Sequence, residues 1–479
     1  MSSGSLESLP AAFKRGSSSV TSKEMLPNWR WEALRTTLWF VPTVLIFVGA
    51  LIFVVTFSID VAAYTHQIQL PSWLRNGDSQ AGRDVLIAIA AAIITVIGVV
   101  FSITILALTL ASQQFGPRMM RNFVRDVGNQ MTLGVFVATF VYSVLALGSI
   151  TIYPHTGFDP HLSVVVAEAM TLVDVAVLVY FINHIATTIQ LPEVIAGIAR
   201  DLDSAIDTEF RVIDYVDDVK ASGQIHTPVG LPPAELLVMT EERGGVVLAA
   251  KSGYLQFVGY AQLAEIARLV DAVIRLDYRP GHFIVAGGPI AKVLPQGAAR
   301  QVERALAKAH VTGPHRTLMQ DPVFAIDQLV EIAIRALSPA VNDTFTALTC
   351  LDWISSGLSR LAGRELSEHV IRDDHGRVRL IGANWSFSQM VGRAYDKIRQ
   401  AANGMPAVII RILDSLTAVV DASTSEAQHD ALMRQGEMVL RSANQSVVEA
   451  NDLEDIRAHY LRLRTRISEL NQPNLTVLD

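Results

Sequence analysis

Along the first 185 residues, long apolar runs alternate with short polar breaks; beyond them the pattern is that of a soluble region. An apolar run of about 20 residues crosses the hydrocarbon core of a bilayer as a helix. Four segments qualify: Leu38–Ile59, Val85–Ala111, Met131–Ile152 and Leu162–Ile182. The second is longer than the core requires at about 1.5 Å per residue, so it tilts or projects beyond the bilayer. Trp29, Trp31 and Trp39 flank the first span, where indoles suit the headgroup boundary. That span begins too far along the chain, and runs too long, for a secretory signal. The pattern predicts an α-helical membrane protein with four transmembrane helices, followed by an α+β and helical C-terminal region.

The cations set the orientation. Lys14, Arg15, Lys23, Arg30 and Arg35 precede the first span, whereas the 60–84 loop holds only Arg75 and Arg83. The 112–130 loop holds Arg118, Arg121 and Arg125, and the 153–161 loop holds none. Alternating rich and poor loops put both termini in the cytoplasm by the positive-inside rule. Residues 1–24 are Ser-rich without periodicity and read as a disordered tail. The four-helix transmembrane domain then occupies 25–185, and linking helices fill 186–227, with an acidic helix over about 193–221 after Pro192.

In 228–295, short β-prone runs alternate with Gly and Pro turns around one helix near Ala261–Val270, which predicts a small α+β module. The strands expected there are Leu236–Thr240, Val246–Ala250, Tyr254–Val258, Val273–Leu276, Phe283–Ala286 and Ile290–Leu294. Residues 296–479 read as a mainly helical cytoplasmic domain, with a hairpin of His369–Arg372 and Arg377–Leu380.

Composition narrows the function classes. Of 479 residues, 50% are hydrophobic and only 18% charged, against about 25% in an ordinary soluble chain; the shortfall lies in residues 38–183. A net charge of −7 with no basic stripe excludes nucleic acid as a partner. The single cysteine, Cys350, excludes an internal disulfide and a Cys-based zinc site, and its apolar neighbours Leu348, Leu351 and Ile354 mark it as a core thiol. Asp201, Asp203, Asp207, Asp214, Asp217 and Asp218 match no ligand loop and read as a solvated helix face, so no metal is expected. Gly287-Gly288-Pro289 is a turn, with no Lys-Ser/Thr after it. No nucleophile elbow, His-Glu-x-x-His, P-loop or dinucleotide fingerprint occurs, so the expectation is a non-enzyme without a cofactor.

Candidate chemistry sits in three places. Span four carries Glu168 and Asp174, six residues apart and thus about 120° apart around a helix. Asp174 is central. One reading makes these acids, with Thr171 and with Thr95 and Ser102 of span two, an ion pathway. The other makes Asp174 a packed acid bonded to Thr171 or to a hydroxyl on another span. Ala88, Ala91, Thr95, Gly98 and Ser102 form a small-residue stripe that admits another helix, within the subunit or between subunits. Arg118, Arg121 and Arg125 share one face after Gly116-Pro117 and either contact anionic lipid or only enforce topology. Gln320, Asp321, Asn342 and Asp343 gather at helix ends, either as a polar pocket for a ligand or ion or as caps, with Asp343 the N-cap of the helix that follows.

Three stretches carry a resemblance. The first runs from Gly98-Val99-Val100-Phe101-Ser102 through Gln114-Phe115-Gly116-Pro117-Arg118 and Phe123-Val124-Arg125-Asp126 into Leu133-Gly134-Val135-Phe136 and Phe140-Val141-Tyr142-Ser143. The second pairs Ser252-Gly253-Tyr254 with Arg279-Pro280-Gly281, and the third runs from Gln320-Asp321 through Ala336-Leu337-Ser338-Pro339-Ala340-Val341-Asn342-Asp343 to Thr346-Ala347. In order and spacing they resemble a bacterial family of predicted membrane proteins with a domain of unknown function, over roughly residues 35–425. That family often has Pro after the Asn-Asp pair, where this chain has Thr344. The resemblance implies a bacterial inner-membrane location and transfers no activity. Two functions follow as expectations. One is a homo-oligomeric ion channel or pore gated by its cytoplasmic domain. The other is a membrane-anchored sensor or scaffold that recruits a cytoplasmic partner without transport.

Overall fold

The computed structural model describes residues 39–65, 68, 71, 79–115, 126–152, 160–188, 190–210, 231–364, 366 and 369–471. The expected lipid-contact residues Arg118, Arg121 and Arg125 lie outside this set, as do the N-terminal tail and Asp214, Asp217 and Asp218. The chain forms two compact units, one of residues 1–108 and 121–184, the other of 109–120 and 185–479.

The first unit contains α1 (Phe40–Tyr64), α2 (Ser79–Phe115) and α3 (Val127–Ile152), and α4 (His161–Thr188) follows them. All four are long and apolar enough to cross a membrane. Each begins close to its expected apolar run, with α2 starting six residues earlier, at Ser79. Contacts between α1 and α3 advance together along both helices, from Pro42 with Gly134, through Gly49 with Ala138, to Thr56 with Tyr142. These two helices therefore run in the same direction. Contacts between α3 and α4 run in opposite senses, with Asp126 meeting His184 and Tyr142 meeting Ser163. This is the alternation that successive crossings require.

The closest helix approach is between α1 and α3. A Cβ on Gly49 would lie 3.1 Å from the Cβ of Ala138, and one on Gly134 would lie 3.0 Å from the Cα of Pro42. In α2, Leu86, Ile93, Val100 and Ala107 are buried at a spacing of seven residues, a coiled-coil-like seam. The small-residue stripe of Ala88, Ala91, Thr95, Gly98 and Ser102 faces outward instead. Phe47, Leu51, Phe101, Leu172 and Val179 also point outward, an apolar exterior that lipid accepts and water does not.

In the second unit α5 (Leu191–Glu209) comes first, with Pro192 in its first turn. Ile195, Ile198, Leu202 and Ile206 recur at helical spacing and are all buried. They enter a helical core with α9 (Val323–Ala336), α10 (Thr344–Ala362), α11 (Phe387–Ala401), α12 (Pro406–Ala422), α13 (Glu426–Ser446) and α14 (Ala450–Asn471). Ser386 and Ser425 start α11 and α13 with reciprocal capping boxes to Gln389 and Gln428. Cys350 is buried in this core, as expected, and burial raises its thiol pKa to about 12.

Before those helices lie α6 (Pro233–Arg243), β1 (Gly245–Leu248), β2 (Gly253–Val258), α7 (Tyr260–Leu269), β3 (Val273–Leu276), β4 (Phe283–Ile284), β5 (Pro289–Leu294), α8 (Ala299–Ala309) and β6 (His310–Gly313). The expected strand at Leu236–Thr240 is part of α6. Pro233 at the first helical position and Glu235 in the first turn favour a helix start. The sheets reach beyond the 228–295 segment. β6 pairs with β2, and β7 (His369–Arg372) and β8 (Val378–Gly382) form the expected hairpin. β8 then lies parallel to β3. The result is a five-stranded sheet, β1-β5-β3-β8-β7, and a three-stranded sheet, β4-β2-β6. Leu255, Leu263, Ile274, Val293, Val302 and Leu380 share its apolar core.

Candidate functional site

In the membrane-type unit, Asp174 is 2% exposed and accepts a hydrogen bond from Thr139 Oγ1 of α3 at 3.2 Å. The other residues of the expected ion pathway do not join it. Glu168 is exposed. Thr171 donates to the carbonyl of Ala167, Thr95 to that of Ala91 and Ser102 to that of Gly98, each satisfying its own helix. The larger polar cluster involves Asp60, which lies one residue past the expected end of span one. Asp60 accepts from the backbone N–H groups of Leu162 and Ser163 at 2.9 and 3.0 Å, and from Ser163 Oγ at 2.6 Å. It thereby caps the first turn of α4 from another helix. Thr56 and Tyr142 share a 2.9 Å hydrogen bond, and Tyr142 also donates to the Ser163 carbonyl. No charge outside the apolar run enters the search for intramembrane acids, so sequence reasoning missed Asp60.

The expected polar pocket of Gln320, Asp321, Asn342 and Asp343 is divided between the two ends of α9, a 14-residue helix about 20 Å long. Asn342 takes φ 50° in the connecting turn. Asp343 accepts from Thr346 N at 3.2 Å and from Thr346 Oγ1 at 2.6 Å, and so is the N-cap of α10. At the other end, Gln320 uses its amide as a strand would. Its Oε1 accepts from Val258 N at 2.8 Å, and its Nε2 donates to Val258 O at 3.3 Å, tying β2 to the start of α9.

Asp321 is fully buried and is held by Arg316, whose Nη2 lies 2.6 Å from Oδ2. Burial still pushes its carboxyl up to about 6 against the pull of that guanidinium. Arg316 also reaches Asp327 at 2.5 Å. Asp327 in turn accepts from Arg393 Nε and Nη2 of α11 at 2.6 and 3.0 Å. Gly281, at φ 90°, presses its backbone against the Asp321 carboxylate, where no Cβ would fit. Two motifs far apart in sequence, Arg279-Pro280-Gly281 and Gln320-Asp321, thus meet.

Beside this network lies a small open cleft lined by Glu209 and Phe210 from the end of α5, Tyr260, Arg279, Gln320 and Trp385 among others. The Arg279 guanidinium carbon sits 3.6 Å above the centre of the Trp385 ring, a cation–π stack. Burial, together with the Asp321 charge, raises the Glu209 carboxyl to about 7. Burial and the charges of Arg279 and Arg316 lower His282 to about 4. Trp385 carried no sequence signal, and Arg279 was visible only as part of a motif. Asp203 and Asp207 of α5, expected to be solvated, pair with Arg360, and Asp207 also pairs with Arg364. Among the described residues no group of His, Cys, Asp and Glu is placed to hold a metal.

No solved structure matches the chain. The uncharacterized proteins Rv1290c of Mycobacterium tuberculosis and Mb1321c of Mycobacterium bovis are each 32% identical to it over 461 residues, 94% of this chain and 84% of theirs. Residues 35–418 match the family described as predicted membrane protein, DUF2254. With its four apolar helices and the motifs that meet at Gly281 and Asp321, the chain belongs to this family of predicted membrane proteins.

Proposed function

We propose that the protein is a membrane-anchored, non-enzymatic sensor in the bacterial inner membrane. Its C-terminal unit lies in the cytoplasm and changes its engagement of a partner according to what occupies the cleft. One observation carries this reading. α5 begins shortly after α4 ends, and its far end, Glu209 and Phe210, forms a wall of the cleft. The four buried side chains of α5 each contribute about 1.5–3 kcal/mol, on the order of 6–12 kcal/mol before the entropy of ordering the helix. Such a helix moves with its core, so a change at the cleft has a covalent route to span four. The packing of Asp174 on Thr139, and the return of the Thr95, Ser102 and Thr171 hydroxyls to their own helices, support an anchor over a pathway within one chain.

A second reading, a homo-oligomeric channel, is favoured by the outward small-residue stripe of α2. A pore would then lie between subunits. The purified protein in liposomes separates the two. The sensor reading expects potassium, sodium and proton fluxes equal to those of empty liposomes. A flux that Asp174→Asn or Gly98→Leu suppresses would overturn it in favour of the channel.

A further inference from the structure

Arg279 has no direct ion-pair partner among the described residues, and the Asp321 charge acts on it without contact. Around it Arg316 and Arg393 engage carboxylates, whereas Arg279 makes no hydrogen bond or ion pair among the described residues and stacks on the Trp385 ring. That stack fixes the guanidinium plane and leaves its N–H edge to point elsewhere. Arg279 Nε and Trp385 Nε1 are both buried without a hydrogen-bond partner among the described residues. Buried donors are ordinarily satisfied, and two from neighbouring side chains that line one cleft call for an acceptor there. Both side chains can only donate, and the planar fork of Arg matches the two oxygens of a carboxylate or phosphate.

We infer that the cleft between Arg279, Trp385 and the end of α5 binds a small oxyanion, the carboxylate or phosphate group of a small molecule. The proposal rests on the sensor reading and supplies its ligand class. The enclosed space of the cleft is about 10 Å³, room for roughly one water-sized oxygen, so the oxygens of the anionic group enter and the rest of the ligand stays in the open mouth. The charged and titratable groups that face Arg279 are Glu209 on α5, the neutral phenol of Tyr260 on α7, Asp321 and Arg316 ahead of α9, and Arg393 on α11, with His282 following in its own loop. Asp321 is committed to Arg316, and His282 is neutral. Glu209, raised to about 7, and Asp321, raised to about 6, both change the balance as pH falls through neutrality, because their ionised forms repel an anion. Binding therefore strengthens as pH falls from 8 to 6.

The test is calorimetric titration of the full-length protein in detergent with inorganic phosphate and, separately, with acetate, at constant ionic strength. Wild type is expected to bind at least one of them with a Kd of about 1 mM or tighter. Phosphate alone marks a phosphoryl ligand, and acetate alone marks a carboxylate. Arg279→Gln should weaken binding at least about tenfold, and Trp385→Phe, which keeps the stack and removes the donor, about threefold. Arg441→Gln, on an exposed face of α13, should leave it unchanged. Failure of wild type to bind either anion at about 50 mM, or a folded Arg279→Gln that binds as wild type does, overturns the assignment. If Arg279→Gln does not fold, an unchanged affinity in Trp385→Phe overturns it. Failure here leaves the flux result standing, so the ligand and the sensor reading fail separately.

Discussion

Asp327 joins three elements through two arginines, and its removal gives a number that the geometry sets. The carboxylate accepts from Arg316 Nη1 at 2.5 Å and from Arg393 Nε and Nη2 at 2.6 and 3.0 Å. Breaking a buried ion pair so that one charge is stranded costs about 3–5 kcal/mol. Neither arginine is stranded in Asp327→Ala. Arg316 keeps Asp321, and the Arg393 side chain, 42% exposed, regains water. The expected loss is therefore smaller, about 2–3 kcal/mol. Arg393→Ala should cost about 1 kcal/mol, since Asp327 retains Arg316, and the two changes should couple by about 1 kcal/mol in a double-mutant cycle. Amide hydrogen exchange of the full-length protein measures this directly. Amides of α9 and α11 that exchange by opening of the core should exchange about 30- to 150-fold faster in Asp327→Ala. A change of less than about fivefold, or an Arg393→Ala effect equal to that of Asp327→Ala, would refute the account of Arg316 as an arginine with two partners.

Gly281→Ala should destabilise the C-terminal unit by about 2–4 kcal/mol, because φ 90° strains any L side chain and the new Cβ meets the Asp321 carboxylate. A thermal melt of the full chain reads this, and an unchanged midpoint would contradict it. The two ring nitrogens of half-buried His310 are out of contact with solvent and unpartnered among the described residues, and desolvation lowers the group from 6.5 to about 4. The folded state thus binds fewer protons than the unfolded one between these values, so wild-type stability falls as pH drops from 6.5 towards 4, by up to about 3 kcal/mol. His310→Leu should flatten that part of the profile; equal slopes for the two proteins would dispose of the idea. Asp60→Ala removes three hydrogen bonds from the start of α4 and should cost about 2–3 kcal/mol. Its measure is the unfolding midpoint in detergent, with the more conservative Tyr142→Phe expected to cost about 1 kcal/mol.

How far the fold was legible depended on the range of the signal. Twenty apolar residues in a row have one common solution in a bilayer, and each of the four spans is a helix whose core coincides with its run. The hairpin at 369–382 was visible because Asp374-His375-Gly376 marks its turn. Leu236–Thr240 was not, since a five-residue apolar run suits a strand and one face of a short helix equally. The preceding prolines decide the matter there. The small-residue stripe pointed to α2 as the place of close helix contact, yet Gly49 of α1 and Gly134 of α3 make it, each opposite a small or compact neighbour. At the candidate site, Gln320 and Asp321 could be picked out but not their roles. A Gln that pairs with β2 and an Asp that pairs with Arg316 look identical in sequence to two capping residues. The stacking of Arg279 on Trp385 joins positions more than a hundred residues apart, and no local pattern encodes it.

The parallel pairing of β3 with β8 also constrains how this protein is made. Ile274 meets Leu380 only after roughly a hundred further residues have left the ribosome, about 5–20 s at ordinary rates of synthesis. Until then β3 is an edge strand whose Ile274 and Leu276 lack one neighbour. The four apolar helices are translated first, while the sheet is still open. A translational pause or premature stop between 313 and 378 would yield an unfinished domain with an open sheet edge, a natural substrate for chaperones and proteases.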